Sequence, residues 1–149
     1  MADIVISGRL PRALGLSRSE VKAAAAFFAG RSSRRSGKIF REISVVVQDD
    51  AGSDAAHRAV MDIAGATDVI TQNFDAMPGE SDGVYGELYV NAQRALAAAP
   101  KRGDWTPAKE FLLYLAHGMD HLSGAEDLTA HGRRSMRRRE LGWIASFVR

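Results

Sequence analysis

Cysteine is absent from the 149-residue chain. That absence excludes a disulfide framework, a thiolate nucleophile and any zinc site built on cysteine. No apolar run approaches the roughly 20 residues that a membrane-spanning helix needs, and the first residues lack the charged-then-apolar layout of a signal peptide. We therefore expect a cytoplasmic protein that does not enter a membrane. Any tightly held metal must be bound by histidine, aspartate or glutamate, and the chain has 4 histidines.

The overall charge is nearly balanced. Hydrophobic residues make up 46% of the chain, charged residues make up 26%, and the formal net charge is +2. This length and balance are typical of one compact domain, which we expect to span residues 1–149. A small net charge informs on solubility more than on fold. The positions of the charged residues are therefore more informative than their sum.

Apolar periodicity predicts both strands and helices. The predicted strands cover residues 4–6, 43–47, 68–71 and 84–90. The predicted helices run from a capping box at Ser17 to Gly30, from a cap at Ser53 or Asp54 to about Gly65, from Thr106 to about Leu122, and from about Thr129 to Val148. Such a mixture on a single core predicts an α+β or α/β fold.

Three segments allow more detailed predictions. Residues 31–41 combine arginine and lysine with serine and glycine, which predicts a basic loop because this composition cannot bury a face. The β-branched run 43–47 predicts a strand buried on both faces. Residues 84–90 alternate between apolar and polar side chains, which indicates a strand with one buried face.

One histidine pair has the spacing of a metal site. His117 and His121 are four residues apart on a predicted helix, so both imidazoles project from one face and can share an ion at about 2.0–2.1 Å. Gly124 can adopt the left-handed conformation that ends the helix and turns the chain back, bringing Asp127 beside the pair as a third ligand. The fourth position is left for water, as in catalytic zinc sites. His131 is the substitute if Asp127 points away.

The order of these residues resembles two families. His-x-x-x-His-x-x-Gly-x-x-Asp is similar to the zinc signature of metzincin peptidases, but Gly118 stands where those enzymes carry a glutamate base. Residues 117–127, H-G-M-D-H-L-S-G-A-E-D, resemble more closely the motif His-Gly-x-Leu-His-Leu-x-Gly-Tyr-Asp-His of the YbeY family, which are bacterial single-strand-specific endoribonucleases. Residues 67–71 and 85–90 resemble two strands of that family. The likeness spans about residues 43–149.

The resemblance to the YbeY family implies a fold and an activity. It implies an α+β domain with a small mixed four-stranded sheet, about four to five helices, and a metal site on the penultimate helix and the following turn. The implied activity is metal-dependent cleavage of single-stranded RNA in rRNA maturation, including processing of the 16S rRNA 3′ end and ribosome quality control. The implied partners are single-stranded RNA or rRNA and the small ribosomal subunit.

The implied cofactor is one Zn²⁺ ion per chain, held by His117, His121 and Asp127. Asp127 stands where the family has a third histidine, and a carboxylate ligand also admits harder divalent metals. Metal-bound hydroxide and the 2′-hydroxyl of the RNA are both open as the attacking group.

Two further departures from the family bear on catalysis. Asp120 replaces an apolar residue and either orients a ligand or water or faces solvent. Met61 stands at the family's characteristic arginine, so another cation, for which Arg58 is a candidate, must take its place. The candidate catalytic residues are therefore His117, Asp120 and Arg58. The alternatives are a weakened or inactive rRNA-binding or ribosome-binding factor and, less favoured, a small metallopeptidase.

Clustered arginines predict an RNA interface. Several of them are helical neighbours four residues apart, and cations arrayed in this way gain affinity for phosphates by releasing counterions. A solvated helix face is the alternative interpretation. The candidate RNA-binding residues are Arg34, Arg35, Arg133, Arg134, Arg137, Arg138 and Arg139.

Overall fold

The computed structural model describes residues 2–148, which form a four-stranded mixed sheet and five α-helices. The strands are β1 (Asp3–Gly8), β2 (Phe40–Gln48), β3 (Val69–Phe74) and β4 (Val84–Asn91). The helices are α1 (Arg18–Ser36), α2 (Asp50–Met61), α3 (Ala92–Ala98), α4 (Pro107–Leu122) and α5 (Ala130–Phe147). The predicted α+β fold is confirmed. None of the helices within 2–148 combines the length and apolar character that crossing a membrane would take.

The sheet has the strand order β1-β2-β4-β3. Strands β1, β2 and β4 are parallel, whereas β3 pairs antiparallel with β4. Parallel neighbours need a crossover connection, and α1 supplies it between β1 and β2. Along β4 the buried and half-buried residues alternate as predicted. Helices α1 and α4 contribute to one core with the buried face of the sheet, and α5 packs against both helices and adds Trp143 and Ile144 to that core.

The prediction that residues 43–47 are buried on both faces is wrong. Ile43, Val45 and Val47 are buried, but Val46 between them is only half-buried. The reason is that the core helices cover one face of the sheet. On its other face, Val5 of the neighbouring β1 is largely exposed.

The predicted basic loop over residues 31–41 is also wrong for most of its length. Helix α1 continues through Gly30 to Ser36, where Arg34 is exposed while Ser32 is fully buried. A basic segment can therefore bury a narrow face when its small residues point inward. The helix ends at Gly37, whose left-handed conformation (φ 77°) lets its N–H bond the carbonyl of Ser33 at 2.8 Å.

Helix α2 begins before the predicted start. Its N-cap is Asp49, which accepts a 2.8 Å hydrogen bond from the Gly52 N–H, so the predicted caps Ser53 and Asp54 lie inside the helix. Helix α3 has no counterpart among the predicted elements. It is short, and its cap, Asn91, is also the last residue of β4.

Helix α4 lies against the sheet because two glycines leave room for it. A Cβ atom on Gly118 would lie 2.8 Å from Leu88 Cδ2, and one on Gly86 would lie 2.9 Å from the methyl groups of Leu122. At either position a Cβ atom would force the facing leucine to shift. The predicted start and end of this helix are confirmed, and Gly124 has the predicted left-handed conformation (φ 99°). The glycines therefore set the depth at which the histidines sit.

Candidate metal centre

His117 and His121 converge with Asp127 at the end of α4. The two Nε2 atoms are 3.0 Å apart, and the Oδ2 atom of Asp127 lies 3.7 Å from one and 3.6 Å from the other. A triangle with these sides has a centre about 2.0 Å from each corner, which matches zinc–nitrogen and zinc–oxygen distances. These three residues can therefore share one ion without rearrangement.

The turn after α4 delivers the third ligand. The Gly124 N–H donates to the His121 carbonyl at 2.9 Å, and the Ala125 N–H donates to the Asp120 carbonyl at 3.2 Å. These bonds close the helix end and send the chain back past the imidazoles. Asp127 therefore points toward the pair, and the alternative ligand His131 lies exposed on α5.

Both imidazoles are oriented through their Nδ1 atoms. His121 Nδ1 lies 3.0 Å from the Ala125 carbonyl, and His117 Nδ1 lies 2.9 Å from Glu140 Oε2. A carbonyl oxygen only accepts, so Nδ1 of His121 must donate, and a carboxylate favours the same arrangement for His117. Each neutral ring then presents the lone pair of Nε2 to the other across 3.0 Å. Two lone pairs at that distance repel unless a cation or a proton lies between them, so the donor set fits a metal ion.

Acidic neighbours favour positive charge at this position. Burial lowers the pKa of His117, but the hydrogen bond to Glu140 and the negative charges of Glu140, Asp68 and Asp127 outweigh burial and raise it above its ordinary value. Burial also raises the pKa of Glu140, although His117 opposes that change. The site is therefore built to stabilise a cation.

One side of the site is open to solvent. The side chains of His117, His121 and Asp127 are 24%, 27% and 38% exposed. Structural zinc sites are usually closed by a fourth protein ligand, whereas catalytic sites keep a position for water or substrate. The three candidate ligands would leave such a position open.

Asp120 is adjacent to His121 in sequence but points elsewhere. Its carboxylate is fully buried and accepts hydrogen bonds from Nε and Nη2 of Arg139 at 2.9 to 3.2 Å. Nε of Arg35 lies 3.5 Å from Oδ1 of the same carboxylate. Asp120 does not face solvent, which was one of the two predicted alternatives. The structure therefore places the Asp120 carboxylate in a buried ion pair between α4 and α5.

Arg58 and Met61 both lie near the end of α2. The Arg58 side chain is largely exposed and pairs with Asp54 one turn earlier, at 3.1 Å. Met61 is about half exposed. The role of Arg58 as a replacement cation therefore stays a prediction, since its guanidinium is engaged with Asp54 in the structure.

The candidate RNA-binding arginines divide into two groups. Arg139 and Arg35 are engaged with Asp120, and Arg35 also donates to Ser123 Oγ at 2.6 Å. The other five are exposed, and four of them line one face of α5 beside Leu141. We call these four the arginine face. They are Arg133, Arg134, Arg137 and Arg138.

Glu140 is the functional residue that sequence reasoning missed. It falls on the apolar stripe of α5, with Met136 one turn before it and Ile144 one turn after it, and it is fully buried. A lone acid on an apolar helix stripe indicates a buried partner, since an unpaired buried charge is costly. The sequence held that signal, but it did not identify His117 as the partner.

The chain matches a known protein family over most of its length. The sequence pattern described as Endoribonuclease YbeY matches residues 17–147. The chain belongs to this YbeY family. The match includes α4, the turn after it and all of α5, so it contains the three candidate ligands and Glu140.

Curated YbeY proteins of several bacteria are similar to the chain. The Endoribonuclease YbeY of Clavibacter michiganensis is 33% identical over 101 residues, which cover 64% of the chain and 65% of that protein. The chain thus matches slightly less than two thirds of this relative's length. The Endoribonuclease YbeY of Kineococcus radiotolerans is 34% identical over 118 residues, or 72% of the chain and 68% of that protein. Members of the family thus resemble this chain beyond the metal motif.

A solved structure shares the fold. The solution structure of a Thermotoga maritima protein superposes with a TM-score of 0.62 and covers 99% of the chain and 89% of that protein. Its sequence identity to the chain is 19%, so the superposition shows the common fold alone.

Proposed function

We propose that the protein is a metal-dependent endoribonuclease that cleaves single-stranded RNA. The observation that carries the proposal is the 3.0 Å approach of the two Nε2 atoms, with both Nδ1 atoms committed to other partners. That arrangement supports a cation at the open end of α4. The membership in the YbeY family supports RNA as the substrate. We further propose that the ion is Zn²⁺, one per chain.

His117, His121 and Asp127 would hold the ion. When bound, a divalent ion of this kind lowers the pKa of a coordinated water toward about 7 and polarises a phosphoryl oxygen. The protein's own contribution is orientation: Glu140 and the Ala125 carbonyl hold the two rings by their Nδ1 atoms. Groups that fix ligands in this way typically change metal affinity or activity by about 10- to 100-fold when they are removed.

The arginine face supports binding of the RNA backbone. Arg133 donates to the Asp127 carbonyl at 3.3 Å, so one end of this face meets the turn that carries the third ligand. An RNA strand whose phosphates lie along the arginine face would therefore pass the open side of the candidate metal site. We propose rRNA as the target, with the 16S rRNA 3′ end and ribosome quality control as the cellular context, and the cytoplasm as the location.

The chemical ends of the RNA products identify the attacking group. Attack by the 2′-hydroxyl of the RNA leaves a 2′,3′-cyclic phosphate, whereas attack by water leaves an open phosphate. Arg58 is proposed as the cation that neutralises phosphate charge, after leaving Asp54. Arg58→Ala should then cleave RNA more slowly than the parent protein and bind the same amount of metal.

The decisive experiment compares the parent protein with His117→Ala on single-stranded RNA, each purified and loaded with zinc. We expect cleavage by the parent and at least a 100-fold slower reaction in the variant. Equal rates in the two proteins would show a contaminating nuclease, and an inactive parent would remove the nuclease proposal. A parallel zinc analysis should give one ion per parent chain.

A second candidate function is an rRNA-binding or ribosome-binding factor without catalysis. The observation that favours it is Met61, which lies half exposed where the resemblance places an arginine. This second candidate function predicts RNA binding that weakens with salt and is not accompanied by cleavage. The metallopeptidase alternative has less support, because Gly118, which packs against Leu88, stands where metzincin peptidases carry the glutamate base.

A further inference from the structure

An ion pair between fully buried Asp120 and partly buried Arg139 joins α4 to α5. Arg139 donates from Nε and Nη2 to both carboxylate oxygens of Asp120, at 2.9 to 3.2 Å. Each partner is next in sequence to a residue of the candidate metal centre. Asp120 precedes His121, and Arg139 precedes Glu140.

We propose that the Asp120–Arg139 pair is a positioning device that holds Glu140 against His117 and so sets the affinity of the site for its metal. The inference rests on the metal site of the proposed function. It adds two positioning residues that act through Glu140 and that neither touch the ion nor face the substrate.

The geometry supports this role. A bidentate contact fixes both the separation and the orientation of its two partners. Here it fixes the position of α5 at the residue before Glu140. The bond from His117 Nδ1 to Glu140 Oε2 is 2.9 Å long. A displacement of α5 by about 1 Å would stretch that bond past the roughly 3.2 Å limit of a good hydrogen bond.

A third helix strengthens the same point. Arg35 of α1 lies 3.5 Å from Asp120 Oδ1 and donates to Ser123 Oγ at 2.6 Å. Ser123 Oγ in turn donates to the Asp120 carbonyl at 2.7 Å. Together, Asp120, Arg139 and Arg35 therefore connect α4, α5 and α1 near the end of α4.

Stability alone does not explain the pair. Replacing a buried ion pair by apolar residues of similar volume is often neutral or stabilising, and the resemblance to the YbeY family places an apolar residue at position 120. What apolar packing lacks is a directional contact. A directional contact between α4 and α5 is what the alignment of Glu140 with His117 requires.

The test compares Arg139→Met with a matched control. Arg102 pairs at 3.0 Å with Glu110, which is 1% exposed and lies on the same helix, seven residues before His117. Arg102→Met therefore breaks a similar ion pair away from the ligands. We expect Arg139→Met to weaken zinc binding by about 10-fold or more in competition with a chromophoric chelator. Arg102→Met should leave zinc binding unchanged, and Arg139→Lys should recover part of the loss.

A second measurement does not need metal. In the metal-free parent, the ¹⁵N shifts of the His117 ring should show a proton held on Nδ1, and in Arg139→Met they should show a mixture of both ring nitrogens. If Arg139→Met fails to fold, the measurement is made on Asp120→Asn, which keeps the shape of the side chain and should give the same mixture. A parent that bound no zinc would end the proposed metal site and the affinity part of this inference, whereas the ring shifts would still decide whether the ion pair holds Glu140 against His117.

Two results would overturn the inference. One is unchanged zinc affinity together with an unchanged proton position in Arg139→Met. The other is an equal weakening of zinc binding by Arg102→Met, which would make the effect one of general stability.

Discussion

Glu140 accepts a hydrogen bond from His117 across 2.9 Å, although the two residues are 23 positions apart in the chain. The contact joins the last helix to the helix that carries both histidine ligands. It fixes the proton of His117 on Nδ1 and leaves Nε2 free to bind a cation. The geometry of the candidate metal site therefore depends on the packing of α5 as much as on the motif in α4.

Glu140→Gln should weaken zinc binding by about 10- to 100-fold, because the amide is a weaker acceptor for the Nδ1 proton of His117 than the carboxylate is. Isothermal titration with zinc measures the effect. Glu126→Gln is a suitable control, since Glu126 is an exposed acid in the ligand turn. Equal affinity in the parent and Glu140→Gln would contradict the orienting role of Glu140.

Asp127→His should shift the metal preference of the site. Three imidazoles favour zinc, whereas a carboxylate also suits manganese and other harder ions. The ratio of the zinc dissociation constant to the manganese dissociation constant should be smaller for the variant than for the parent. Asp127→Ala should weaken binding of both metals. Binding of both metals by Asp127→Ala as tightly as by the parent would remove Asp127 from the ligand set.

The arginine face predicts a specific salt dependence. For single-stranded nucleic acid, the logarithm of the binding constant falls with the logarithm of salt concentration by about 0.7 per neutralised phosphate. Arg134→Ala combined with Arg138→Ala should therefore flatten the slope by about 1.4. Arg12→Ala combined with Arg9→Ala removes the same charge from the segment before α1 and should change the slope less. Equal changes would show that net charge alone attracts the RNA.

Gly118→Ala should destabilise the protein by about 1–3 kcal/mol, because the new methyl group would overlap Leu88 in a packed interface. Gly142→Ala is the matched control. A Cβ atom at this second helical glycine meets nothing within 4 Å, so the substitution should stabilise the helix by about 0.5–1 kcal/mol. Urea unfolding measures both. A neutral Gly118→Ala would show that α4 can move away from the sheet without cost.

The turn after α2 predicts a pH effect. The Gly65 N–H bonds Asp54 at 2.6 Å, and this bond and Arg58 lower the pKa of Asp54 below its ordinary value of 3.8. A lowered pKa contributes stability that is present above pH 3.8 and is lost as the pH falls through the folded-state value. Asp54→Asn should therefore destabilise the protein at pH 7, and the difference from the parent should shrink as the pH falls below 3.8. The same loss at pH 7 and below pH 3.8 would contradict an ionic role for Asp54.

Local sequence determined the ligands of the candidate site. The four-residue spacing of His117 and His121 puts both rings on one helix face whatever surrounds the helix. Gly124 permits the left-handed turn that returns the chain to Asp127. These are effects of neighbours within about ten residues. For that reason the predicted bounds of α4 and the predicted turn after it agree with the structure.

Tertiary structure decided what surrounds those ligands. The contacts from His117 to Glu140 and from Asp120 to Arg139 cross between helices, and their existence depends on the rotation of α5 against α4. The burial of only one face of β2 likewise depends on which side of the sheet the helices cover. Helical periodicity gives the faces of an element but not the partner that each face meets. The sequence by itself thus specified the candidate metal ligands, and packing between helices specified their orientation.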